Sequence, residues 1–459
     1  MGFINKLAEL KEWKRGVSHC TFDPHGPGLV RIHLIPPRFK LFGNDAYTVI
    51  LNGYYILPIG SAWAIILSAF MREVNRFDNK IISDEDEKKL YKNTVKYVSR
   101  AYPFTDKRQI ADDLDEILDI LFDVARGNTD HPELERLSIR QYAKAMTAPH
   151  RMDLAISSMT DEKGCWNCNQ KCLFCYAAGQ RMASVKELDT EGWKRVIDAL
   201  KKAHVPMVTF TGGEPTVRQD LSELVEYAKE FVTRVNTNGT LLKDELVKRL
   251  IDAGLDSIQI TLYSHDANIH NTLVGAEKFD DTVRGIKTAV KHGLDVSINT
   301  PLCSLNCEYE KTLEFIRSLG VRYCTVSGLI CTGSAAENHG AYDLSPEKLY
   351  EILSKAKKYC NENSMEIDFT SPGLIPAEKL EALSMNVPSC GAALSNMAIA
   401  PDGTVLPCQS WLGADAGLGN ILEVPFSKIW NNKKCIELRN MSDETALICP
   451  FRAERSKNG

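Results

Sequence analysis

Residues 168–175 read CNQKCLFC, a run in which three cysteines follow a C-x3-C-x2-C spacing. Cysteine sulfur is the soft ligand that iron–sulfur clusters prefer, and three thiolates this close together can hold one compact cluster. In a cubic 4Fe–4S cluster, three protein ligands leave one iron open to a substrate or cofactor. Structural zinc needs four ligands, so the spacing favours a cluster over a zinc site.

Around this run, short β-forming stretches alternate with amphipathic helices from residue 154 to about residue 370. The predicted strands are Leu154–Ser157, Met207–Phe210, Val232–Asn236, Ser257–Leu262, Val296–Thr300 and Tyr323–Val326. Repeated strand–helix units imply parallel pairing with right-handed crossovers, and six units are too few for a closed barrel of eight. The sequence therefore predicts an α/β fold with a partial (β/α)6 TIM-like barrel.

A second motif, Gly212-Gly213-Glu214-Pro215, follows the second predicted strand. Two glycines let the backbone approach a ligand closely, and the residue before a proline is held extended. Active sites of barrels collect at the carboxyl ends of the strands. We therefore expect Glu214 and the three-cysteine run to meet at one mouth.

In this order, the two motifs resemble the signature of the radical S-adenosylmethionine (radical SAM) enzymes. The resemblance implies a 4Fe–4S cluster on Cys168, Cys172 and Cys175, with S-adenosylmethionine on the fourth iron and Glu214 at its ammonium group. An electron, from a donor such as flavodoxin or ferredoxin, would then release a 5′-deoxyadenosyl radical that abstracts hydrogen. The other implied cofactor contacts are Phe174, Tyr176, Gly212, Gly213, Asn238, Thr261 and Asn299.

For the polar members of that set, Asn238, Thr261 and Asn299, capping of strand ends is the alternative role.

Further cysteines are predicted close to the mouth. Cys165 forms a C-x2-C pair with Cys168, and it is either a ligand that would close the cluster or a spare thiol.

Three more cysteines, Cys303, Cys307 and Cys331, follow the fifth and sixth predicted strands, and we expect them to face the mouth. A thiol there is able to return a hydrogen atom to a substrate radical, and Cys303 is the candidate for that catalytic role. Packing in the core is the alternative.

The last part of the chain is turn-rich, and Cys390, Gly403 and Cys408 are spaced as at the start of the auxiliary-cluster (SPASM or twitch) domains of many radical SAM enzymes. This resemblance implies one auxiliary iron–sulfur cluster on Cys390, Cys408 and Cys449. Cys435 is either a fourth ligand or a core thiol in an amphipathic stretch. Too few cysteines follow Cys408 for two auxiliary clusters.

The first 145 residues predict a separate α+β unit. A strand (Val30–Ile35), a hairpin turning at Asn52-Gly53 and an apolar helix capped by Ser61 precede an amphipathic helix at Asp112–Val124. This order resembles the winged-helix-like peptide-recognition (RRE, PqqD-like) domain fused to many enzymes that modify ribosomal peptides. A structural cap is the alternative. The expected domains are 1–145, 146–375 and 376–459, the last a small Cys-rich auxiliary-cluster domain.

The composition limits the classes of partner that the chain is expected to bind and the cellular compartment in which it is expected. The net charge is −5 with Lys and Arg spread throughout, so the chain lacks the basic footprint of a nucleic-acid binder. Fourteen cysteines and no signal peptide favour metal sites in the reducing cytoplasm. The uncharged stretch 46–71 contains Asn52-Gly53, Pro58 and Gly60, which argue against a membrane-spanning helix.

These resemblances imply a radical SAM enzyme that modifies a ribosomally synthesised precursor peptide by a thioether or carbon–carbon crosslink, or by epimerisation. The leader segment would bind as an extra strand beside the hairpin at 47–57. One alternative is a radical SAM enzyme acting on a small molecule or cofactor precursor such as a tetrapyrrole. The other is a non-enzymatic iron–sulfur redox or scaffold protein.

Overall fold

The computed structural model of the chain describes residues 18–22, 30–37, 47–77, 84–126, 128, 136–143, 145–161, 165–338, 340–444 and 449. Contacts divide the chain into two compact units, Met1–Ala148 and Pro149–Gly459. Each unit has its own sheet and its own core.

The first unit contains an antiparallel sheet in the order β1-β2-β3-β4. Its strands are β1 (His19–Phe22), β2 (Val30–Ile35), β3 (Tyr47–Leu51) and β4 (Tyr55–Ile59). Asn52 and Gly53 join β3 to β4 with φ angles of 53° and 68°, the left-handed pair that a two-residue hairpin turn favours. The predicted hairpin is confirmed, and β1 adds a strand that the sequence did not indicate.

Helices cover this sheet: α1 (Ser61–Val74), α2 (Asp84–Val98), α3 (Lys107–Ala125) and the short α4 (Ile139–Tyr142). Apolar residues of β2, β3 and β4 form one core with α1 and the predicted apolar face of α3. The predicted cap was wrong by one residue, because Gly60 is the N-cap of α1 and Ser61 is its first helical residue. Among the described residues, no helix is long and apolar enough to cross a membrane.

The second unit is built on an open sheet in the order β11-β10-β9-β8-β7-β6-β5-β12-β13-β14. Strands β5 to β11 pair in parallel, and the sheet does not close, which confirms the predicted partial barrel. Strands β5 to β11 are seven, one more than the predicted six, and the additional strand is β11. The strands are β5 (Arg151–Ser157), β6 (Met207–Gly212), β7 (Val232–Thr237), β8 (Ser257–Thr261), β9 (Asp295–Pro301), β10 (Tyr323–Ser327) and β11 (Glu366–Phe369).

Helices connect these strands and pack their apolar stripes against the sheet. In α5, for example, the Asp189 carboxylate caps the helix by accepting from Gly192 N at 2.7 Å, and Trp193 and Val196 are fully buried. The helices are α5 (Thr190–Lys202), α6 (Leu221–Tyr227), α7 (Asp244–Asp252), α8 (Ala267–Val274), α9 (Phe279–Lys291), α10 (Tyr309–Ser318), α11 (Ser334–Glu337), α12 (Pro346–Glu362), α13 (Ala377–Ala382), α14 (Phe426–Trp430) and α15 (Lys433–Glu444).

The C-terminal part joins the free edge of the barrel sheet through β12 (Asn396–Ile399), which pairs in parallel with β5. Two short antiparallel strands follow, β13 (Thr404–Leu406) and β14 (Gly419–Asn420). In this register Asn396 lies beside Arg151, the first residue of β5. The segment before β12 therefore lies toward the amino ends of the barrel strands, opposite the loop that follows β5.

Candidate active site

A cavity of about 1100 Å³ lies inside the second unit, and both groups of predicted ligand cysteines line it. The six thiols are those of Cys168, Cys172, Cys175, Cys390, Cys408 and Cys449. The predicted cofactor contacts line the same cavity: Phe174, Tyr176, Gly212, Gly213, Glu214, Asn238, Thr261 and Asn299. The fold thus gathers residues from the whole second unit around one space.

The first thiol group lies on the loop after β5, and backbone bonds to the end of α8 hold that loop. Lys171 N donates to the Val274 carbonyl at 3.1 Å, and Leu173 N donates to the Leu273 carbonyl at 2.9 Å. Burial raises the pKa of Cys168 to about 12, and neighbouring Glu214 and Cys175 add to the effect. These thiols are therefore protonated in the metal-free chain, so binding a metal cluster must release protons.

The Glu214 carboxylate is the acceptor at the centre of the mouth. It is 1% exposed, and it accepts from Thr216 N at 3.0 Å, Thr216 Oγ1 at 2.5 Å, Thr237 Oγ1 at 2.6 Å and Asn238 N at 2.8 Å. Burial raises its pKa despite these four hydrogen bonds, which act in the opposite direction. The extended backbone predicted for Glu214 is confirmed by its φ of −144° and ψ of 110°.

Asn238 braces the mouth through its side chain. Its Nδ2 donates to Asn169 Oδ1 at 2.6 Å, and its Oδ1 accepts from Thr240 Oγ1 at 2.8 Å. Asn169 lies between the first two ligand cysteines, so the brace joins the cysteine loop to the end of β7. Asn238 therefore holds the mouth in shape whether or not it also contacts a cofactor.

Phe174 and Tyr176 approach the cavity differently. Phe174 is 6% exposed and meets the Tyr342 ring edge-on, with centroids 5.5 Å apart. The backbone carbonyl of Tyr176 accepts from Thr332 Oγ1 at 3.1 Å. Burial raises the pKa of the Tyr176 phenol, and the neighbouring thiols of Cys175 and Cys408 act in the same direction.

The residues at this mouth fit an iron–sulfur cluster with a bound nucleoside. In the described part of the chain, no three His, Cys, Asp or Glu side chains lie close enough to hold a single metal ion. At Gly212, where φ is +132°, an added Cβ would lie 2.3 Å from the Ser157 carbonyl oxygen, so the backbone itself forms the wall there. Gln170 Nε2 is buried beside the thiols without a hydrogen-bond partner among the described residues.

The second thiol group is assembled from distant parts of the chain. Burial raises the pKa of Cys408 to about 12, with Cys390 and Cys449 as neighbouring thiols that raise it further. Cys435 does not belong to this group: it is fully buried, it does not line the cavity, and it accepts from Arg439 Nη2 at 3.4 Å. Of the two roles left open for Cys435, the core thiol matches its position.

Two of the predicted mouth cysteines are placed elsewhere. Cys303 is fully buried among Phe174, Tyr263 and Leu329, so the prediction that it faces the mouth was wrong. Cys307 does not line the cavity either, and its thiol lies 3.4 Å from the Cys303 carbonyl oxygen. The strands end as predicted, but the chain beyond β9 turns behind the cavity wall.

Cys331 and Cys165 each had two predicted roles. Cys331 does line the cavity. Cys165 is exposed and lies outside the cavity lining, with its backbone N–H bonded to Asp161 Oδ1 at 2.8 Å. Its position therefore favours the spare thiol over the closing ligand.

Glu187 is a positioning residue that sequence reasoning missed. Its Oε1 accepts from Ser158 N at 2.7 Å and from Asn167 Nδ2 at 3.0 Å, while its Oε2 pairs with Arg218 at 3.1 Å. It thereby ties the end of β5 to the start of the cysteine loop and to the segment after Glu214. No local pattern marks it, because its partners are 20 to 31 residues away.

Comparison with protein families gives two matches. Residues 167–316 match the model of the radical SAM superfamily. Residues 390–450 match the iron–sulfur cluster-binding domain called SPASM. The two matches contain the first and the second thiol group, respectively.

The individual relatives carry names that refer to different substrates. The chain is 30% identical to the Fe-coproporphyrin III synthase of Methanosarcina barkeri, over 62% of this chain and 77% of the relative. It is 29% identical to the PqqA peptide cyclase of Granulibacter bethesdensis, over 58% and 69%. Streptococcus suis SuiB bound to its precursor peptide SuiA has a similar fold, with a TM-score of 0.57 at 16% identity, over 86% and 88%.

Proposed function

The chain belongs to the radical SAM superfamily, and on that premise we propose that it modifies a ribosomally synthesised precursor peptide by hydrogen abstraction. Radical SAM and SPASM domains make it an enzyme that uses a 4Fe–4S cluster, S-adenosylmethionine and auxiliary iron–sulfur chemistry. The observation that carries the proposal is a cavity lined by both thiol groups, in a chain that also has a separate α+β unit. The proposed domains are a peptide-recognition domain (1–145), the barrel (146–375) and the auxiliary-cluster domain (376–459).

When bound, the cluster and S-adenosylmethionine would supply one-electron chemistry that abstracts hydrogen from the substrate and releases 5′-deoxyadenosine. The proposed donor is a cytoplasmic flavodoxin or ferredoxin. Cys168, Cys172 and Cys175 would hold the cluster, and the Glu214 carboxylate would accept from the ammonium group of S-adenosylmethionine. Phe174, Tyr176, Thr261 and Asn299 would enclose the nucleoside and exclude water.

Support for a peptide substrate comes from two sides. PqqA peptide cyclase is a relative at 29% identity. The fold shared with SuiB covers 86% of this chain, which is more than residues 149–459 alone supply, so it includes part of the first unit. Within the first unit, β4 is the outer strand of the hairpin. Its Ile56 carbonyl already accepts from Leu137 N at 2.8 Å, so a leader strand that adds there would displace residues 136–138.

The bond formed separates two branches of the proposal. A thioether or carbon–carbon crosslink needs an electron acceptor after hydrogen abstraction, a role that suits an auxiliary cluster on Cys390, Cys408 and Cys449. Epimerisation instead needs a hydrogen donor, and Cys331 lines the cavity where Cys303 does not. A Cys331→Ser substitution would block epimerisation without preventing a crosslink.

A second candidate is a radical SAM enzyme acting on a tetrapyrrole or another small cofactor precursor. Its support is the 30% identity to Fe-coproporphyrin III synthase, over 77% of that relative. In that case the first unit would be a structural cap. The non-enzymatic scaffold is not retained, because the relatives are enzymes with named reactions.

The enzyme can be tested directly. Anaerobically reconstituted protein with dithionite should convert S-adenosylmethionine to 5′-deoxyadenosine, measured by liquid chromatography and mass spectrometry. Absence of 5′-deoxyadenosine from protein with a full complement of iron would contradict the catalytic proposal.

Leader recognition needs a separate measurement on the full chain. A fluorescent leader peptide, encoded by a short reading frame beside the gene, should bind saturably in an anisotropy titration. A Leu137→Pro variant lacks the N–H that competes for Ile56, so it should bind the leader more tightly. If neither protein binds while 5′-deoxyadenosine still forms, the small-molecule candidate is favoured.

A further inference from the structure

The amino-end half of the cavity is lined by charged and polar side chains of the strands. They alternate along each strand, so that in β7 Thr233 and Val235 are buried behind the sheet while Arg234 and Asn236 line the cavity. The strands supply Arg151, Thr209, Arg234, Tyr323 and Asp368 at this end. An apolar substrate alone would not match such a lining.

Arg234 is a cation in this lining that has no carboxylate close enough for an ion pair among the described residues. Its Nε donates to Ser257 Oγ at 3.3 Å. Neither of its Nη groups donates a hydrogen bond to a residue that the structure describes. Burial and the adjacent Arg151 charge lower the pKa of the Arg234 guanidinium, although the more distant carboxylates of Asp153 and Asp295 act in the opposite direction.

Other charges at this end are already engaged. Arg151 Nε pairs with Asp153 Oδ1 at 3.0 Å, and Asp153 is only 1% exposed. Asp368 accepts from the Tyr323 hydroxyl at 2.7 Å and from Asn386 Nδ2 at 3.2 Å. Both carboxylates therefore have partners of their own, and Arg234 is left facing the cavity.

Two polar atoms beside Arg234 are also unsatisfied. Thr209, the register partner of Arg234 on β6, has a buried hydroxyl with no hydrogen-bond partner among the described residues. The same holds for Asn236 Oδ1, two residues along β7. A hydroxyl that is able to donate thus lies next to a guanidinium with free donors.

We infer that Arg234 and Thr209 bind a carboxylate group of the substrate at the amino end of the barrel cavity. A guanidinium presents two parallel N–H donors that match the two oxygens of a carboxylate, and the Thr209 hydroxyl adds a third donor. The anion also compensates a buried charge that is otherwise costly. This inference rests on the proposed function, since it places one end of the substrate opposite the Glu214 mouth.

The carboxylate has two sources that fit the candidates: an acidic side chain or C-terminus of a peptide, or a propionate of a tetrapyrrole. In either case the anchor sets how deep the substrate lies, and so which carbon faces the mouth. No covalent bond forms or breaks at Arg234, so its proposed role is to bind the substrate.

The first test uses thermal unfolding of the ligand-free full chain. Because Arg234 has no ion-pair partner among the described residues, Arg234→Met should raise the unfolding midpoint, by roughly 2 °C or more. Arg151→Met is the matched control and should lower it, because it leaves Asp153 buried without its partner. If Arg234→Met lowers the midpoint as Arg151→Met does, the guanidinium is structural and the inference is overturned.

The second test measures binding with three carboxylate probes and neutral analogues. The probes are glutarate against glutaramide, a blocked Ala-Glu-Ala peptide against Ala-Gln-Ala, and coproporphyrin III against its tetramethyl ester. A carboxylate should bind the wild-type chain about tenfold to a hundredfold more tightly than it binds Arg234→Met, with Arg234→Lys in between. Preference for the peptide or for the porphyrin identifies the source.

If no carboxylate probe shows binding that depends on Arg234, the inference is overturned. Arg234→Gln provides a second neutral variant should Arg234→Met fail to fold. The binding readout needs no turnover, whereas failure of the proposed function is seen as missing 5′-deoxyadenosine in the wild-type chain. The two failures are therefore distinguishable.

Discussion

The two thiol groups of the cavity are built in opposite ways. Cys168, Cys172 and Cys175 come from one loop of eight residues, held by Glu187 and by the end of α8. Cys390, Cys408 and Cys449 are brought together from positions up to 59 residues apart by the pairing of β12 with β13 and by bonds from Arg439 and Ser442 of α15 to the segment before β12. The first site depends on local sequence, and the second depends on the folded sheet. Substitutions at each should therefore fail in different ways.

The largest effect is expected for Cys172→Ala in the local group. Two remaining thiolates would hold the cluster poorly, so 5′-deoxyadenosine formation should fall by more than the roughly 10- to 100-fold that loss of an outer-shell group costs. Iron content and the rate of 5′-deoxyadenosine formation are the measurements. Cys165→Ala is the control and should retain both, because Cys165 lies outside the cavity lining.

A substitution in the second thiol group should lower the iron content without abolishing the cleavage of S-adenosylmethionine. Cys408→Ala should reduce bound iron from about eight to about four atoms per chain, while uncoupled cleavage of S-adenosylmethionine continues. Cys435→Ala removes a thiol of the same domain that is outside the cavity and should leave the iron content unchanged. Equal iron loss in both variants would mean that Cys435 is a ligand.

Glu214 distinguishes the first group from the second, because it supplies a carboxylate for an ammonium ligand. Glu214→Gln should weaken S-adenosylmethionine binding about tenfold to a hundredfold, measured by calorimetry on the reconstituted protein. A comparable affinity in the variant would remove the ammonium contact from the proposal.

The pH dependence of that affinity follows from the raised pKa of Glu214. A raised pKa means that the carboxyl takes up its proton at a higher pH than an ordinary glutamate. Affinity for S-adenosylmethionine should therefore fall in the wild type as the pH is lowered, and the fall should begin at a higher pH than the one at which an ordinary glutamate protonates. Glu214→Gln cannot titrate, so its affinity should stay level over the same range.

A smaller effect is expected where the local loop is held. Glu187→Gln keeps the shape of the side chain but weakens its bonds to Ser158, Asn167 and Arg218. The free energy of unfolding should fall by about 1 to 2 kcal/mol, measured by chemical denaturation. The variant should also assemble its cluster more slowly, while its affinity for a leader peptide is unchanged. A change in leader affinity would contradict a role confined to the loop.

The barrel could be predicted because parallel strand–helix units carry a strong periodic signal. The hairpin at Asn52-Gly53 was also local, since two left-handed residues in sequence are enough to specify the turn. Strand β11 was missed because four residues, Glu366–Phe369, give little alternation to read. The predicted helix cap at Ser61 was wrong by one residue, because Gly60 has the extended backbone of an N-cap.

Side-chain positions beyond the strand ends could not be predicted in the same way. Cys303 and Cys331 both follow strands of the barrel, yet one is buried in the core and the other lines the cavity. The direction of a loop depends on what packs against it, and here that is Phe174 and Tyr263 for Cys303. Arg234 carried a weak signal, because Arg234 and Asn236 alternate with Thr233 and Val235 along a short strand.

The sequence by itself determined the first thiol group, the Gly-Gly-Glu-Pro motif and the family to which they belong, because cysteine spacing within a short loop is a local property. Only the tertiary structure decided that Cys435 is excluded from the second group. It alone also placed Arg234 at the far end of the cavity, without an ion-pair partner among the described residues. Both depend on contacts between parts of the chain that are far apart in the sequence, and local residue patterns do not encode such contacts.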